Sequence, residues 1–175
     1  MLTNFRQIIQ YDEVLGHKYI PNQSACLQYG NRNYLIQTDK NGFRNTQRNI
    51  DGKLKIIVLG DSYSSGYGIS NSERFTELLE TQYNAKVTNL AVSGYGVDQQ
   101  VLAYQEYAKS IEHDLVIFIP FLDDLARTCM KARSGFERST GRKSLIPKPY
   151  FVLVLSLIHI SEPTRPERSR MPSSA

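Results

Sequence analysis

Three short apolar runs mark the middle of the chain. Leu54, Ile56, Ile57, Val58 and Leu59 form the first, stopped by Gly60. Ala85 to Val92 forms the second, stopped by Ser93-Gly94-Tyr95-Gly96, and Leu115 to Ile119 the third, stopped by Pro120. The first run, short, β-branched and bounded by a glycine, predicts a strand buried on both faces of a parallel sheet, and the other two predict the second and third core strands. Between them the period changes. Ser72 is placed to cap a helix that runs to Thr81 and presents Phe75, Leu78 and Leu79. Val97, Val101, Tyr104, Ala108 and Ile111 then recur at alternating steps of four and three, which predicts an amphipathic helix packed on the sheet. Strand, helix, strand, helix, strand is the alternation of an α/β fold, with the first run central and the other two on either side.

The flanks are patterned less clearly. Met1 to Asp51 reads as an irregular lead-in, with Leu15-Gly16-His17 and Tyr19 to Asn22 as extended chain with turns. Tyr34 to Thr38 is a short strand, and Asp39 to Arg44 a turn centred on Asn41-Gly42. Arg127 to Pro149 is basic and holds Gly135, Gly141, Pro147 and Pro149, so it reads as an irregular insertion or mobile loop, with a short helix from Asp124 to Arg133. Lys148 to Val154 begins another extended piece. The expected organisation is a lead-in over 1–52, an α/β domain over 53–154 and a separate tail over 155–175.

Composition narrows the class of partner. A chain of 175 residues with 41% hydrophobic and 22% charged residues has the make-up of one globular domain. Much of the net charge of +4 comes from the segment between Arg127 and Lys148. There is no block of aromatic and basic residues like those of single-strand binders, so a solvated basic loop is expected and a nucleic-acid partner is not. Cys26 and Cys129 define neither a disulfide framework nor a metal spacing and are expected as free, partly buried thiols. No apolar run reaches the roughly 18 residues of a membrane span. Met1 to Gln10 lacks the pattern of a signal peptide, so the chain is cytoplasmic by default or lacks its true N-terminus. No cofactor is expected, because no phosphate-loop or dinucleotide fingerprint is present.

The chemistry centres on Lys53 to Gly68, K-L-K-I-I-V-L-G-D-S-Y-S-S-G-Y-G. A strand that ends in a glycine turn and feeds a helix places Gly60-Asp61-Ser62 at the carboxyl edge of the sheet. Ligands bind at that edge in open α/β folds. The block I-I-V-L-G-D-S resembles the first motif of the SGNH (GDSL-like) hydrolases, whose nucleophile is the serine of Gly-Asp-Ser. N-L-A-V-S-G-Y-G resembles their second block, in which a glycine, here Gly94, gives a backbone N–H to the oxyanion hole. A side chain at that glycine would obstruct close approach of backbone to a tetrahedral intermediate. The lead-in resembles that of a bacterial subgroup, where Asn-x-x-Gly-x-Arg precedes the first core strand; Thr38 holds the first position of that pattern's usual variant.

What the resemblance implies is a three-layer, flavodoxin-like parallel sheet and a serine hydrolase acting on acyl or acetyl esters, carbohydrate esters included. Ser62 is its nucleophile, and the Ser62 and Gly94 N–H groups are oxyanion donors. The third donor of the family is the asparagine of an Asn-Asp block. This chain has Asp123-Asp124 there, and an ionised Asp123 donates nothing. The base and its orienting carboxylate lie in a late Asp-x-x-His block, and no Asp-x-x-His occurs in this chain. Of the histidines, His17 has no placed carboxylate partner and is expected to be structural. His113 precedes the third strand, at the amino edge, and is expected to be structural too.

His159 belongs to a stretch of another kind. Leu155 to Arg165, L-S-L-I-H-I-S-E-P-T-R, resembles the in-frame translation of a sequencing-library adaptor, and Ser169 to Ala175 resembles the outer adaptor of the same design. These residues are set aside from the fold. The chain is then expected to be a hydrolase fragment without its base, to be inactive, and to leave its third strand as an apolar edge. Two other readings share the expected fold. A polysaccharide O-acetyltransferase would use the same serine, and a flavodoxin-like binding module would hold phosphate with Ser62, Ser64 and Ser65.

Overall fold

The computed structural model describes residues 5–45, 52–136 and 143–150. Val152 to Val154, the adaptor-like tail and His159 lie outside the described residues.

The three apolar runs form one parallel sheet. Strand β5 (Leu54–Gly60) is central, β6 (Ala85–Asn89) pairs on one side and β7 (Leu115–Ile119) on the other, as the sequence predicts. The second run leaves the ladder at Asn89, although Leu90, Ala91 and Val92 stay buried. Alternation along β5 separates two apolar clusters. Ile56 and Val58 join Ala85 and Val87, with Phe75 and Leu79 of helix α2 (Phe75–Tyr83) packed against them. Ile57 and Leu59 face the opposite cluster, with Leu102 and Ala103 of helix α3 (Val97–Tyr107). The architecture is a mixed α/β one, with a parallel sheet and several small antiparallel ones.

The lead-in is more regular than its sequence predicts. It forms two hairpins, β1 (Ile9–Asp12) with β2 (Gly16–Tyr19), and β3 (Ser24–Tyr29) with β4 (Arg32–Gln37). The Asp12 carboxylate closes the first by accepting the N–H groups of Val14 and Leu15 at 3.1 and 2.8 Å. Gly30-Asn31 makes the two-residue turn of the second. Ala25, Leu27, Tyr34 and Ile36 point inward from that hairpin and share a core with Ile57, Leu59 and Leu102. Burial against the sheet is what makes these short strands stable, since an isolated hairpin is marginal in water.

Both predicted helices form, the first starting later than predicted and the second starting at Val97 as predicted but ending at Tyr107. Ser70, not Ser72, caps the first turn. It caps a 3-10 segment, Asn71–Glu73, and α2 begins only at Phe75. Leu78, placed on the apolar face by periodicity, is exposed, while Thr76, Glu77 and Glu80 are buried. Helix α3 buries Asp98, Gln99, Gln100, Leu102 and Ala103 and leaves Val101 on the surface; Ile111, beyond its end, is exposed as well. The cause is its polar first turns, which lie over the loops at the strand ends. The amides of Gln99 and Gln100 bond Leu15 O at 2.6 Å and Asp124 Oδ2 at 2.8 Å. Asp98 is ion-paired with Lys148.

The described parts of the basic stretch also form regular elements. Helix α4 spans Leu122–Thr128, earlier than predicted, and β8 (Ala132–Phe136) pairs antiparallel with β9 (Lys143–Pro147) where an irregular insertion is expected. Cys26 and Cys129 are free thiols, exposed rather than partly buried. Among the described residues, no helix is long and apolar enough to cross a membrane.

Candidate active site around Ser62

Gly60, the last residue of β5, sets the turn. A Cβ on it would lie 2.2 Å from Ser64 Oγ and 2.6 Å from Ser64 Cβ, so only a bare backbone lets the next turn fold back this tightly. That turn is helix α1 (Ser62–Ser65), one turn long and closed by Gly66. Asp61 is its N-cap. Its Oδ1 accepts the Tyr63 N–H at 3.0 Å, and its Oδ2 accepts the Ser62 hydroxyl at 3.3 Å. Ser62 is thus the first residue of a short helix at the carboxyl end of the central strand, half-buried. Ser64 and Ser65 are buried, so of the three serines only Ser62 is open to a ligand.

Gly94 occupies the matching turn after β6. Its φ of +86° lies in the left-handed region, which accounts for glycine there. Two networks join the turns. The first is a cluster of buried hydroxyls. Ser93 Oγ lies 3.3 Å from Ser65 Oγ and 3.1 Å from the Tyr19 hydroxyl, and Ser65 Oγ donates to Ser62 O at 3.3 Å. The second is charged. Arg127 Nη1 reaches Asp61 Oδ2 and Tyr95 O, both at 3.3 Å, and is ion-paired with Asp124. Asp124 is fully buried and also accepts the Phe121 N–H at 2.9 Å. Burial pushes the Asp124 carboxyl up, and nearby Asp61 adds to this, against the hydrogen bonds from Phe121 and Gln100. Neither the Ser62 N–H nor the Gly94 N–H has a hydrogen-bond acceptor among the described residues.

Arg44 fixes the loop behind the serine. It is fully buried and donates from Nη1 to Ser65 O at 2.7 Å and to Gly66 O at 2.6 Å. Its Nη2 reaches Ile69 O at 2.9 Å, and Nε and Nη2 share Asn71 Oδ1. Burial, with Arg74 nearby, lowers its pKa to about 10, so it stays charged at neutral pH.

The other predicted site residues are placed as follows. Asp123 lies in the first turn of α4, exposed and without a side-chain hydrogen bond among the described residues. His17 is buried, with Nε2 3.1 Å from Ser93 O and its ring edge-on to Tyr95. His113 sits beside Ile111 O and the Tyr104 hydroxyl, at 2.6 and 3.2 Å. Both have structural surroundings, as expected. Sequence reasoning missed Tyr19, Ser65, Ser93, Arg127 and Arg44 as the framework of the turn. Arg44 stands at the end of the Asn41-Gly42-Phe43-Arg44 turn, and Arg127 follows Asp124 by one helical turn. Those two carried a signal, whereas nothing local marks Tyr19 or Ser93.

A scan against protein-family models gives no match, and a search of curated proteins finds no significant relative.

Proposed function

We propose that this chain carries the nucleophile half of an SGNH-type serine ester hydrolase on a flavodoxin-like fold, with acyl or acetyl esters as substrates. One observation carries the reading: the Ser62 hydroxyl stands at the carboxyl end of the central strand, with the Ser62 and Gly94 N–H groups unclaimed among the described residues. In an ester hydrolase, Ser62 Oγ attacks the carbonyl carbon and those two N–H groups receive the charge that develops on its oxygen. An ionised Asp123 in the third donor position repels that charge. The proton of Ser62 needs a base, and the carboxylate beside it, Asp61, is ion-paired with Arg127. His17 and His113 are engaged elsewhere. Among the described residues no histidine is hydrogen-bonded to Ser62, and the turnover of the chain is expected to be close to background.

Chemical rescue tests this. With p-nitrophenyl acetate the chain alone should show little hydrolysis. High concentrations of imidazole should restore turnover above the imidazole blank, and Ser62→Ala should abolish the gain. Equal rates for the chain and Ser62→Ala with imidazole present would overturn the reading. Substantial turnover without imidazole, lost in Ser62→Ala, would show that the base is already in the chain.

A further inference from the structure

A second concave surface lies apart from Ser62. It is an open groove of about 410 Å³ between the β3–β4 hairpin and the 3-10 segment. Its lining includes Asn22, Gln23, Ser24, Gln37 and Ser72, and contains none of Ser62, Gly94 or Asp123. We propose that this groove binds a neutral saccharide chain through the amide and hydroxyl side chains of Asn22, Gln23, Ser24, Gln37 and Ser72.

Three features select that ligand. The first is charge. Among the described lining residues none carries one, although charged residues make up 22% of the chain. Nothing there recognises a phosphate, a carboxylate or an ammonium group. Leu35 is the one apolar side chain among them, which also disfavours a lipid or an aromatic ligand.

The second is unused hydrogen-bonding capacity. The side chains of Asn22, Gln23, Ser24, Gln37 and Ser72 have no hydrogen bond among the described residues, and all five residues are exposed. An amide offers two donors and an acceptor, and a hydroxyl offers both roles. A sugar ring presents the same mixture at every hydroxyl, so the two surfaces match in kind. The volume suits a short stretch of sugar rings.

The third is a rigid floor that disfavours a peptide strand. Two outward N–H groups of β4, those of Leu35 and Gln37, are already taken by side chains. Ser70 Oγ accepts Leu35 N–H at 3.1 Å, and Asn71 Oδ1 accepts Gln37 N–H at 3.2 Å. Asn71 Nδ2 returns a bond to Gln37 O at 2.8 Å, and Arg44 holds the same amide from behind. An extended peptide would find these two donors already engaged, which disfavours strand addition here. Thr38 Oγ1 is likewise committed, to Gln23 N–H and Ile20 O. The floor is thus fixed while the rim stays free, which is how a preorganised binding surface is built.

This proposal is independent of the hydrolase reading, and its test reads binding alone. The full chain is mixed with chitotetraose, cellotetraose, maltotetraose and mannotetraose, and transfer of saturation from protein to sugar is measured by NMR. Tetragalacturonate and an uncharged eight-residue peptide serve as comparison ligands. At least one neutral tetrasaccharide should bind. Gln23→Ala/Gln37→Ala should weaken that binding by roughly tenfold or more. Ser72→Lys, at another exposed and unbonded position, should weaken it as well, so the result does not depend on one variant folding. Ser62→Ala should leave it unchanged. No signal from any neutral tetrasaccharide at millimolar concentration would overturn the proposal. So would binding that survives both groove variants, or binding of the peptide or tetragalacturonate alone.

Discussion

The buried carboxylates at the Ser62 turn depend on one cation. Asp61 and Asp124 are almost fully buried, and Arg127 touches both. Removing it strands two acids away from water, so Arg127→Met should destabilise the chain by about 3 kcal/mol in urea titrations. Arg44→Lys should cost a comparable amount, roughly 3 kcal/mol, because a lysine cannot reproduce the fork that holds Ser65, Gly66, Ile69 and Asn71 together. Asp124 also predicts a pH dependence. Its folded pKa is raised above the ordinary carboxylate value, so its favourable contribution is fully present below that ordinary value. The contribution is lost as pH rises through the raised one. Asp124→Asn mimics the neutral acid. Its stability relative to the parent should therefore improve on going from pH 4 to pH 7, and a constant difference would contradict the assignment.

At the scale of elements, the turns decide more than the helices. Gly60→Ala would drive a Cβ into Ser64 and should displace α1, at a cost of about 1–3 kcal/mol. The three strands of the sheet were legible because each is a short strand-forming segment bounded by a turn residue, and the central one carries an unbroken buried apolar run from Ile56 to Leu59. The helix faces were less legible. Periodicity assigns Val101 and Leu78 to the core, yet both are exposed, and the buried positions carry Asp98, Gln100, Glu77 and Glu80. Apolar spacing cannot anticipate this, because a polar residue becomes an inward one only when a partner waits there. Lys148 for Asp98 and Asp124 for Gln100 come from distant parts of the chain. Gly30-Asn31, flanked by alternating residues, did carry a hairpin signal. The surrounding amides and tyrosines obscured it.

For the molecule as a whole, the notable surface is the one around β7. That strand pairs only with β5 among the described residues, and Leu115, Val116, Phe118 and Ile119 are exposed along it. Leu122 and Leu125 of α4 add to the apolar surface, with Leu122 78% exposed. An apolar strand edge of this kind favours association between chains. The protein should elute as soluble aggregate in size-exclusion chromatography, and Phe118→Lys should shift it toward monomer; a monodisperse parent that melts cooperatively would contradict this. The sequence by itself determined the parallel sheet, its strand order and the position of Ser62 at a strand end. All of these follow from local runs, turn residues and connection rules. Only the tertiary structure decided that the lead-in folds as two hairpins against the sheet, that Arg44 and Arg127 hold the serine turn, and that a neutral polar groove opens beside β4. Each of these rests on contacts between residues far apart in the chain, and neither spacing nor composition records such contacts.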